Sequence, residues 1–493
     1  MAEENANPTP PVEVVQASSL SGCAQQDQPT IEGGMPHETG KMPVLLPVDE
    51  PLSSAPRTDR ADKLAFALAT LVALLVYLFT LAPEVTLEDS GVLVTSAFYG
   101  GVAGPPGQPV WTLYSRVFTK ILPFSNPAWR VAVGSAVAGA LLCGFVAMII
   151  SFSANAIFKD AKLLEKLTRP DWDKLRIGGG VAASLVLGFN GPFWYEALVA
   201  DIWSLSFLLF AIVLWLLLRV SFYSGGRGAL CLAFLLFGLL LTNSQELLVA
   251  LPGFVCLLMF NRARLGRDLA MFFLPLAAIL TAANSWNANP PLFTDHPWNW
   301  PMTAAFVAVV LIGCFAAIVT EGLGTHWKSA LAAACGLIGG FAFYLYLPMA
   351  SMTTPPVNWG YPRTVEGFLH VLARGQYEKI CPTNSAGRYA EQLWHFFWNT
   401  GEDFGWLYLC IGVLGGWFLW GSNLRGRRWL LGLVAVWICT GPLMLAMLNP
   451  SDDRQSRELV AIFCDASHII LTVLLGIGLI CVGAWLTRSS KQT

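Results

Sequence analysis

The feature that most constrains this chain is a series of long apolar runs that occupies most of the sequence after residue 63. A helix needs roughly 20 apolar residues to span a bilayer. Within the bilayer its backbone N–H and C=O groups form hydrogen bonds with one another. Only 13% of the 493 residues are charged, whereas a soluble domain carries about a quarter. We therefore expect an all-α, polytopic membrane protein with about twelve transmembrane helices. The predicted spans are 64–82, 130–152, 177–193, 198–218, 229–242, 247–260, 269–285, 302–320, 329–349, 405–420, 430–448 and 466–487.

The distribution of lysine and arginine predicts the side of the membrane on which each connection lies. With the N-terminus in the cytoplasm, more than two thirds of the 30 Lys and Arg residues fall in cytoplasmic segments, as the positive-inside rule requires. Residues 1–60 are polar and predict a disordered cytoplasmic tail. The predicted membrane domain covers 61–487, and 488–493 form a second cytoplasmic tail. The chain has no basic tract, so no nucleic-acid partner is expected.

Two adjacent carboxylates, Glu88 and Asp89, follow the first apolar run. If that run spans the bilayer, both emerge at the membrane surface, a position that suits chemistry on a lipid-borne substrate. A second interpretation is that Asp89 caps a helix that begins near Ser90, because its side-chain oxygen can accept bonds from free backbone N–H groups. One residue can do both, so both interpretations stay open.

Two external loops, 83–129 and 350–404, are long enough to hold structure of their own. In the first, apolar residues recur at helical spacing over 110–122, while Arg116 and Lys120 share the opposite face. This pattern is typical of a helix that lies in the headgroup plane. An ordinary packed helix with two solvated cations is the alternative. A similar apolar stripe over 364–374 predicts an interfacial helix in the second loop, which is the fifth external one.

Charged residues also mark two other external segments. Glu196 and Asp201 are five residues apart, so on one continuous helix they point in different directions. A carboxylate inside a membrane span usually indicates a functional site. The alternative is that both residues lie at the interface between membrane and water. The last external loop offers Arg454 and Arg457, and arginine forms forked, charge-assisted bonds to phosphate. A lone arginine in a loop is more often a solvated charge.

Several motifs together resemble one large family of membrane proteins. They are Glu88-Asp-Ser-Gly91, Gly104-Pro-Pro-Gly-Gln-Pro109, Asn126-Pro-Ala-Trp-Arg130, Ala200-Asp-Ile-Trp203, Leu240-Leu-Thr-Asn243, Pro355-Pro-Val-Asn-Trp-Gly-Tyr-Pro-Arg363, Arg374-Gly-Gln-Tyr377 and Arg457-Glu458. The family resembled is a bacterial family of unknown-function membrane proteins, related to the protein O-mannosyltransferases. Many relatives carry histidine where this chain has Gly104 and Ser244.

The resemblance implies a glycosyltransferase of the GT-C type. Such enzymes generally take a sugar from a polyprenyl phosphate on the non-cytoplasmic face and use an essential carboxylate in the first external loop, where Asp89 is the matching position. We expect transfer of a hexose such as mannose to a protein Ser/Thr or an envelope glycan, with inversion. Asp89 is the expected general base, and Glu88 its helper at the acceptor. The location implied is the bacterial cytoplasmic (inner) membrane.

The other site predictions follow from the same reading. The candidates for binding the donor phosphate are Arg457, Arg454 and Arg363. The residues expected to form the substrate cleft between the two long loops are Glu196, Asp201, Asn243, Pro105, Pro106, Gly107, Asn358 and Trp359. No cofactor or metal is expected, because a lipid monophosphate leaving group does not require one. The partners are then the bilayer, the polyprenyl-phosphate sugar and the acceptor.

Two other classes of function remain open. Twelve spans with both ends in the cytoplasm also suit a secondary transporter, although carriers usually show internal repeats and sites near the bilayer midplane. Because the two histidines are missing, a non-catalytic membrane protein of the same fold is also a possible interpretation. Sequence alone does not choose the sugar, the acceptor or the oligomeric state.

Overall fold

The structure is a computed structural model, and it describes residues 58–87, 89–158, 167–223, 226–273, 300–320, 322–375, 382–383 and 385–490. These residues form helices and connecting turns, with no strand among them, so the all-α prediction is confirmed for the described part. Of the predicted tail, 1–60, residues 1–57 lie outside the described residues.

The helices follow one another along the chain with short connections. They are α1 (Arg60–Thr80), α2 (Ser90–Tyr99), α3 (Pro109–Ile121), α4 (Pro127–Phe158), α5 (Arg169–Gly188), α6 (Gly191–Leu198), α7 (Trp203–Phe222), α8 (Arg227–Asn243), α9 (Ala250–Asn261), α10 (263–273), α11 (Trp300–Val319), α12 (Trp327–Phe341), α13 (Tyr346–Met352), α14 (Val365–Leu372), α15 (Ala386–Phe404), α16 (Trp406–Gly421), α17 (Leu424–Ile438), α18 (Met444–Leu448), α19 (Arg454–Cys464) and α20 (Ala466–Ser490).

The predicted number of twelve spans is not confirmed. Within the described residues, six helical segments are long and apolar enough to cross a membrane, or seven if the bent pair α15–α16 counts as one span. Other predicted spans correspond to shorter helices, such as α8 with 17 residues and α9 with 12, whereas a span takes roughly 20. The predicted span 177–193 is divided between α5 and α6, and most of 269–285 lies outside the described residues.

Helix α1 shows how small residues organise the packing. One face carries Ala61, Ala65, Ala69 and Ala73, all buried, and α1 packs along α4. Where the two helices meet, a Cβ on Gly144 of α4 would lie 2.1 Å from the Thr70 side chain. Small residues therefore allow the backbones to approach closely, as in helix pairs within membranes. The opposite face exposes leucines, which suits contact with lipid tails: Leu64, Leu68, Leu71, Leu75 and Leu78.

Both predicted amphipathic helices are present, as α3 and α14. Helix α3 buries Trp111, Thr112 and Ser115 and exposes Val117 and Ile121 on its apolar side. Its cation Lys120 lies 5.2 Å from the centre of the Phe98 ring. Because the structure contains no membrane, their position in the headgroup plane stays a prediction.

A further amphipathic helix, α15, was not predicted as a separate element. It exposes Trp394 and Trp398, whose rings stack with centres 6.1 Å apart. The chain then bends by 103° into α16, the predicted span 405–420. Exposed tryptophans are typical of the level at which a membrane meets water.

The two long loops are held together by backbone hydrogen bonds. The Val102 N–H donates to the Val357 carbonyl at 3.0 Å, and the Trp359 N–H donates to the Val102 carbonyl at 3.2 Å. A Cβ on Gly101 would lie 2.3 Å from the Val357 carbonyl oxygen, so only glycine permits this approach. The loop after α2 is thus fixed beside the loop before α14, and both border the candidate site.

Candidate functional site

A cavity of about 530 Å³, called the main cavity below, lies between the N-terminus of α2, the loop after it, the α6–α7 connection, the C-terminal end of α8 and α19. The residues predicted from the sequence that line it are Asp89, Pro105, Pro106, Glu196, Asp201, Asn243 and Trp359. Residues from four distant parts of the chain are therefore brought together. Of the other predicted cleft residues, Gly107 packs against Leu347, and Asn358 lines a neighbouring cavity.

Asp89 occupies the N-cap position of α2, but its side chain makes no capping hydrogen bond. Its backbone carbonyl accepts the Leu93 N–H at 2.9 Å, as the start of a helix requires. Its φ and ψ of −81° and 2° differ from the extended conformation that directs a capping side chain at the helix N–H groups. The carboxylate is exposed and lines the main cavity instead. Glu88 lies outside the described residues.

A break in the helix between α6 and α7 explains how Glu196 and Asp201 reach the same cavity. Helix α6 ends at Leu198 and α7 begins at Trp203, so the two carboxylates do not share one continuous helix. Glu196 is buried, and the Asp201 side chain accepts the Ile202 N–H. The Asp201 carbonyl accepts the indole N–H of Trp111 at 2.7 Å, which ties this connection to α3.

Asn243 belongs to a small buried network at the floor of the main cavity. Its amide donates to the Ser206 hydroxyl at 2.7 Å and to the Ile202 carbonyl at 3.2 Å. The Ser206 hydroxyl lies 2.8 Å from that of Ser244, which is also buried. Of the two positions at which the family resemblance leads one to expect histidine, Ser244 lies in this network and Gly104 lines the main cavity.

The ion pair between Glu246 and Arg374 also faces the main cavity, and the sequence did not predict it. Glu246 follows the end of α8, and Arg374 follows the end of α14. Gln245 supports the pair, since its side-chain amide donates to the Tyr344 hydroxyl and to the Leu372 carbonyl, both at 3.0 Å. The two residues are 128 positions apart, so no local pattern signals their meeting.

None of the three arginines predicted to bind phosphate lines the main cavity. Arg363 lines a neighbouring cavity of about 540 Å³, with its guanidinium 5.9 Å from the Tyr361 ring centre. Arg457 donates to the Asp452 carbonyl at 2.5 Å and lines a small cavity of about 50 Å³, which shares Ala461 and Asp465 with the main cavity. Arg454 is 86% exposed and pairs with Glu458 at 2.6 Å.

Asp465 is another residue of the site that was not predicted from the sequence. It lines both the main cavity and the small cavity beside Arg457, and its carboxylate lies 3.5 Å from His468 Nδ1. Burial raises the pKa of the Asp465 carboxyl well above its ordinary value, and the charge of Asp403 adds to the rise. The main cavity thus contains both an exposed acidic residue, Asp89, and a buried one, Asp465.

Comparison with known proteins relates the chain to one class of enzyme. Residues 89–266 match a family model described as the N-terminal domain of protein O-mannosyl-transferase TMEM260. The mouse (Mus musculus) protein O-mannosyl-transferase TMEM260 is 29% identical over 144 residues, which cover 29% of this chain and 18% of that protein. The Dictyostelium discoideum protein of the same name is 20% identical over 437 residues, 85% of this chain and 44% of that one.

The chain therefore spans less than half the length of these curated relatives. No solved structure matches it. The chain is related to protein O-mannosyltransferases, as the motifs predicted. The matched family segment begins at Asp89 and contains most of the residues that line the main cavity. A bacterial origin is not shown by these matches and stays a prediction.

Proposed function

We propose that the chain is a membrane glycosyltransferase of the GT-C type. It moves a hexose, with mannose favoured by the names of its relatives, from a polyprenyl phosphate to an acceptor hydroxyl. The acceptor is a protein serine or threonine, or an envelope glycan. The observation that carries the proposal is the position of Asp89, whose carboxylate is not used for capping and lines the main cavity within the family-matched segment.

The proposed reaction is a single displacement. The acceptor hydroxyl gives its proton to Asp89 while its oxygen attacks the anomeric carbon of the sugar. The bond from that carbon to the phosphate oxygen breaks, and its electron pair leaves with the lipid phosphate. Attack from the side opposite the leaving group inverts the anomeric configuration. Glu88 is proposed to help hold the acceptor.

The donor phosphate gains charge as it leaves, so positive groups near it stabilise the transition state. Of the three arginines expected from the sequence, Arg363 lines a cavity that shares Val92 and Trp359 with the main one. We propose that Arg363 guides the donor as it arrives from the bilayer. Arg454 and Arg457 lie at the start of α19, whose side chains border the main cavity, and they stay weaker candidates.

The proposed setting is the non-cytoplasmic face of a membrane, with both termini in the cytoplasm and the bacterial inner membrane as the location. A lipid monophosphate leaves without help from a metal, so we propose that the reaction needs no metal ion. Full activity in the presence of a chelator is the expected result.

The function is tested by sugar transfer with the purified full chain. Polyprenyl phosphate carrying radiolabelled mannose is supplied in lipid vesicles together with membrane extract, and the label on protein and on glycan is counted separately. Label on either acceptor that depends on the chain supports the proposal. Release of no sugar from the lipid, at any acceptor concentration, would contradict it.

A further inference from the structure

The charges that face the main cavity are unbalanced in a way that singles out Arg374. Six acidic residues line it, namely Asp89, Glu196, Asp201, Glu246, Glu458 and Asp465, of which burial raises the pKa of Asp465. Arg374 is the one arginine or lysine among the described residues of its lining. A phosphate inside this cavity is repelled by the carboxylates and attracted to that single guanidinium. We propose that Arg374 binds the phosphate of the donor lipid, and that Glu246 holds its place until the donor arrives. This inference rests on the proposed function.

The backbone around Arg374 is fixed, which is what a binding group needs. Its N–H donates to the Val371 carbonyl at 3.1 Å, directly after α14 ends. Gln245 holds the last turn of α14 through the Leu372 carbonyl. The Arg374 backbone has a φ of 54°, a left-handed conformation that turns the chain sharply here. The guanidinium is therefore presented to the cavity from a hydrogen-bonded turn.

Glu246 makes the ion pair a suitable resting state. The side chain of Glu246 is 13% exposed and that of Arg374 is 33% exposed, so the guanidinium remains accessible while it is paired. Guanidinium has five N–H donors in a planar fork, and one carboxylate engages at most two of them well. A phosphate can therefore replace Glu246 at the guanidinium, so that the charge of Arg374 is paired with an anion both before and after the donor binds.

The arrangement also gives the two substrates separate places. Asp89 and Arg374 line the same cavity, on elements that the Val102–Val357 and Trp359–Val102 hydrogen bonds hold side by side. With the phosphate at Arg374 and the acceptor hydroxyl at Asp89, the sugar lies between them. That order is the one a displacement requires, with base and leaving group on opposite sides of the reacting carbon.

The test measures binding rather than transfer. The purified full chain in nanodiscs is titrated with undecaprenyl phosphate and, separately, with undecaprenol, which lacks the phosphate. We expect the wild-type chain to bind the phosphate form more tightly by about ten- to a hundredfold, the usual effect of charge-assisted hydrogen bonds. Arg374→Gln should remove most of that preference. Arg374→Lys should keep part of it, since lysine retains the charge but not the fork.

Glu246→Gln gives a prediction of opposite sign. It removes the competing charge and preserves the shape of the side chain, so binding of undecaprenyl phosphate should become tighter. The matched control is Arg227→Gln, the same change at the exposed start of α8, which should keep the wild-type preference.

The possible failures are distinct. A wild-type chain that binds both lipids equally contradicts the lipid-phosphate donor and with it the proposed function. A preference that survives Arg374→Gln but is lost in Arg363→Gln overturns the present inference and moves the phosphate to the neighbouring cavity. Weaker binding in Glu246→Gln refutes the placeholder role of Glu246.

Discussion

At the scale of single residues, the backbone and the side chain of Asp89 have separate roles. Its carbonyl accepts the first helical hydrogen bond of α2, while its carboxylate stays outside the helix. The capping interpretation of the side chain is therefore wrong, because the backbone angles turn the carboxylate away from the N–H groups it would have to reach. What the carboxylate does in the cavity is a question for mutagenesis.

The variant Asp89→Asn is predicted to fold normally and to lose transfer activity. Asparagine has the shape of aspartate but is not a base, and general-base assistance is typically worth about 10²–10⁴ in rate. Transfer of labelled mannose should therefore fall by at least about a hundredfold, with an unchanged thermal midpoint. Glu88→Gln should cost less.

The control for Asp89→Asn is Glu84→Gln, the same chemical change at an exposed residue just after α1. It should transfer sugar at the wild-type rate. If folded Asp89→Asn protein also does so, Asp89 is not the base, and Glu196 and Asp201 become the next carboxylates to test.

At the scale of elements, the contact between the two long loops depends on one glycine. Replacing Gly101 by alanine would place a Cβ 2.3 Å from a backbone oxygen, so one of the loops has to move. We expect Gly101→Ala to lower the thermal midpoint and to reduce transfer, because Trp359 of the cavity wall is held by the same pairing. Comparing transfer per folded molecule separates the two effects.

Gly228→Ala is the matched control for the loop variant. Gly228 lies in α8 with nothing within 4 Å of a new Cβ, and alanine favours helix by about 1 kcal/mol over glycine. This control should be neutral or slightly stabilising. Equal behaviour of the two variants would show that the close approach at Gly101 is not needed.

Arg176 joins three helices at the other end of the molecule. Its guanidinium, which is buried, bonds to Asp59 at 2.7 Å, Asp62 at 3.0 Å and Asp173 at 2.6 Å. The Ser151 hydroxyl also donates to Asp62, at 2.6 Å. The cluster thus connects α1, α4 and α5.

Arg176→Ala should destabilise the protein strongly, by about 3–5 kcal/mol, because it leaves Asp62 buried without its cation. The expected result is a large fall of the thermal midpoint in detergent. The matched control, Arg169→Ala, removes an exposed arginine from the start of α5 and should change the thermal midpoint little. Similar midpoints for the two variants would mean that the buried cluster adds no net stability.

At the scale of the whole molecule, some contacts join segments that the charge distribution predicts on the same side of the membrane. The Asn423 side chain donates to the Ile157 carbonyl at 2.7 Å, and Arg176 meets Asp59, so segments predicted to be cytoplasmic contact one another. Segments predicted to be external share the main cavity and its neighbour. The direction in which this molecule crosses a membrane stays a prediction.

Single-cysteine labelling of intact cells tests that orientation. A membrane-impermeant thiol reagent should label Thr354→Cys and Asp452→Cys from outside. It should reach Lys174→Cys and Arg425→Cys only after the membrane is opened. All four positions are exposed in the structure, so a missing signal is not explained by burial. Labelling of Lys174→Cys in sealed cells would contradict the predicted topology.

The sequence by itself determined the helical class, the apolar surface suited to a membrane and the relation to protein O-mannosyltransferases. These are local properties, because apolar run length and short motifs are read from neighbouring residues. It also made Asp89 a candidate site residue, because an acidic pair follows the first apolar run, and Asp89 does line the main cavity. Its role as the base stays a prediction. The predicted span edges failed where Gly and Pro divide a run, as between α5 and α6.

Only the tertiary structure decided which charges meet. Arg374 pairs with Glu246, which is 128 positions away, while Arg457 donates to the Asp452 carbonyl and does not line the main cavity. A charged side chain in a loop is compatible with many surroundings. The residues next to it in the sequence therefore do not determine its ion-pair partner. The packing of α8 against α12 brings the segments after these helices together, and there Gln245 bonds to the Tyr344 hydroxyl and to the Leu372 carbonyl, two residues before Arg374. Arg374 is therefore the one arginine or lysine among the described residues that line the main cavity, although it was not among the arginines predicted to bind phosphate.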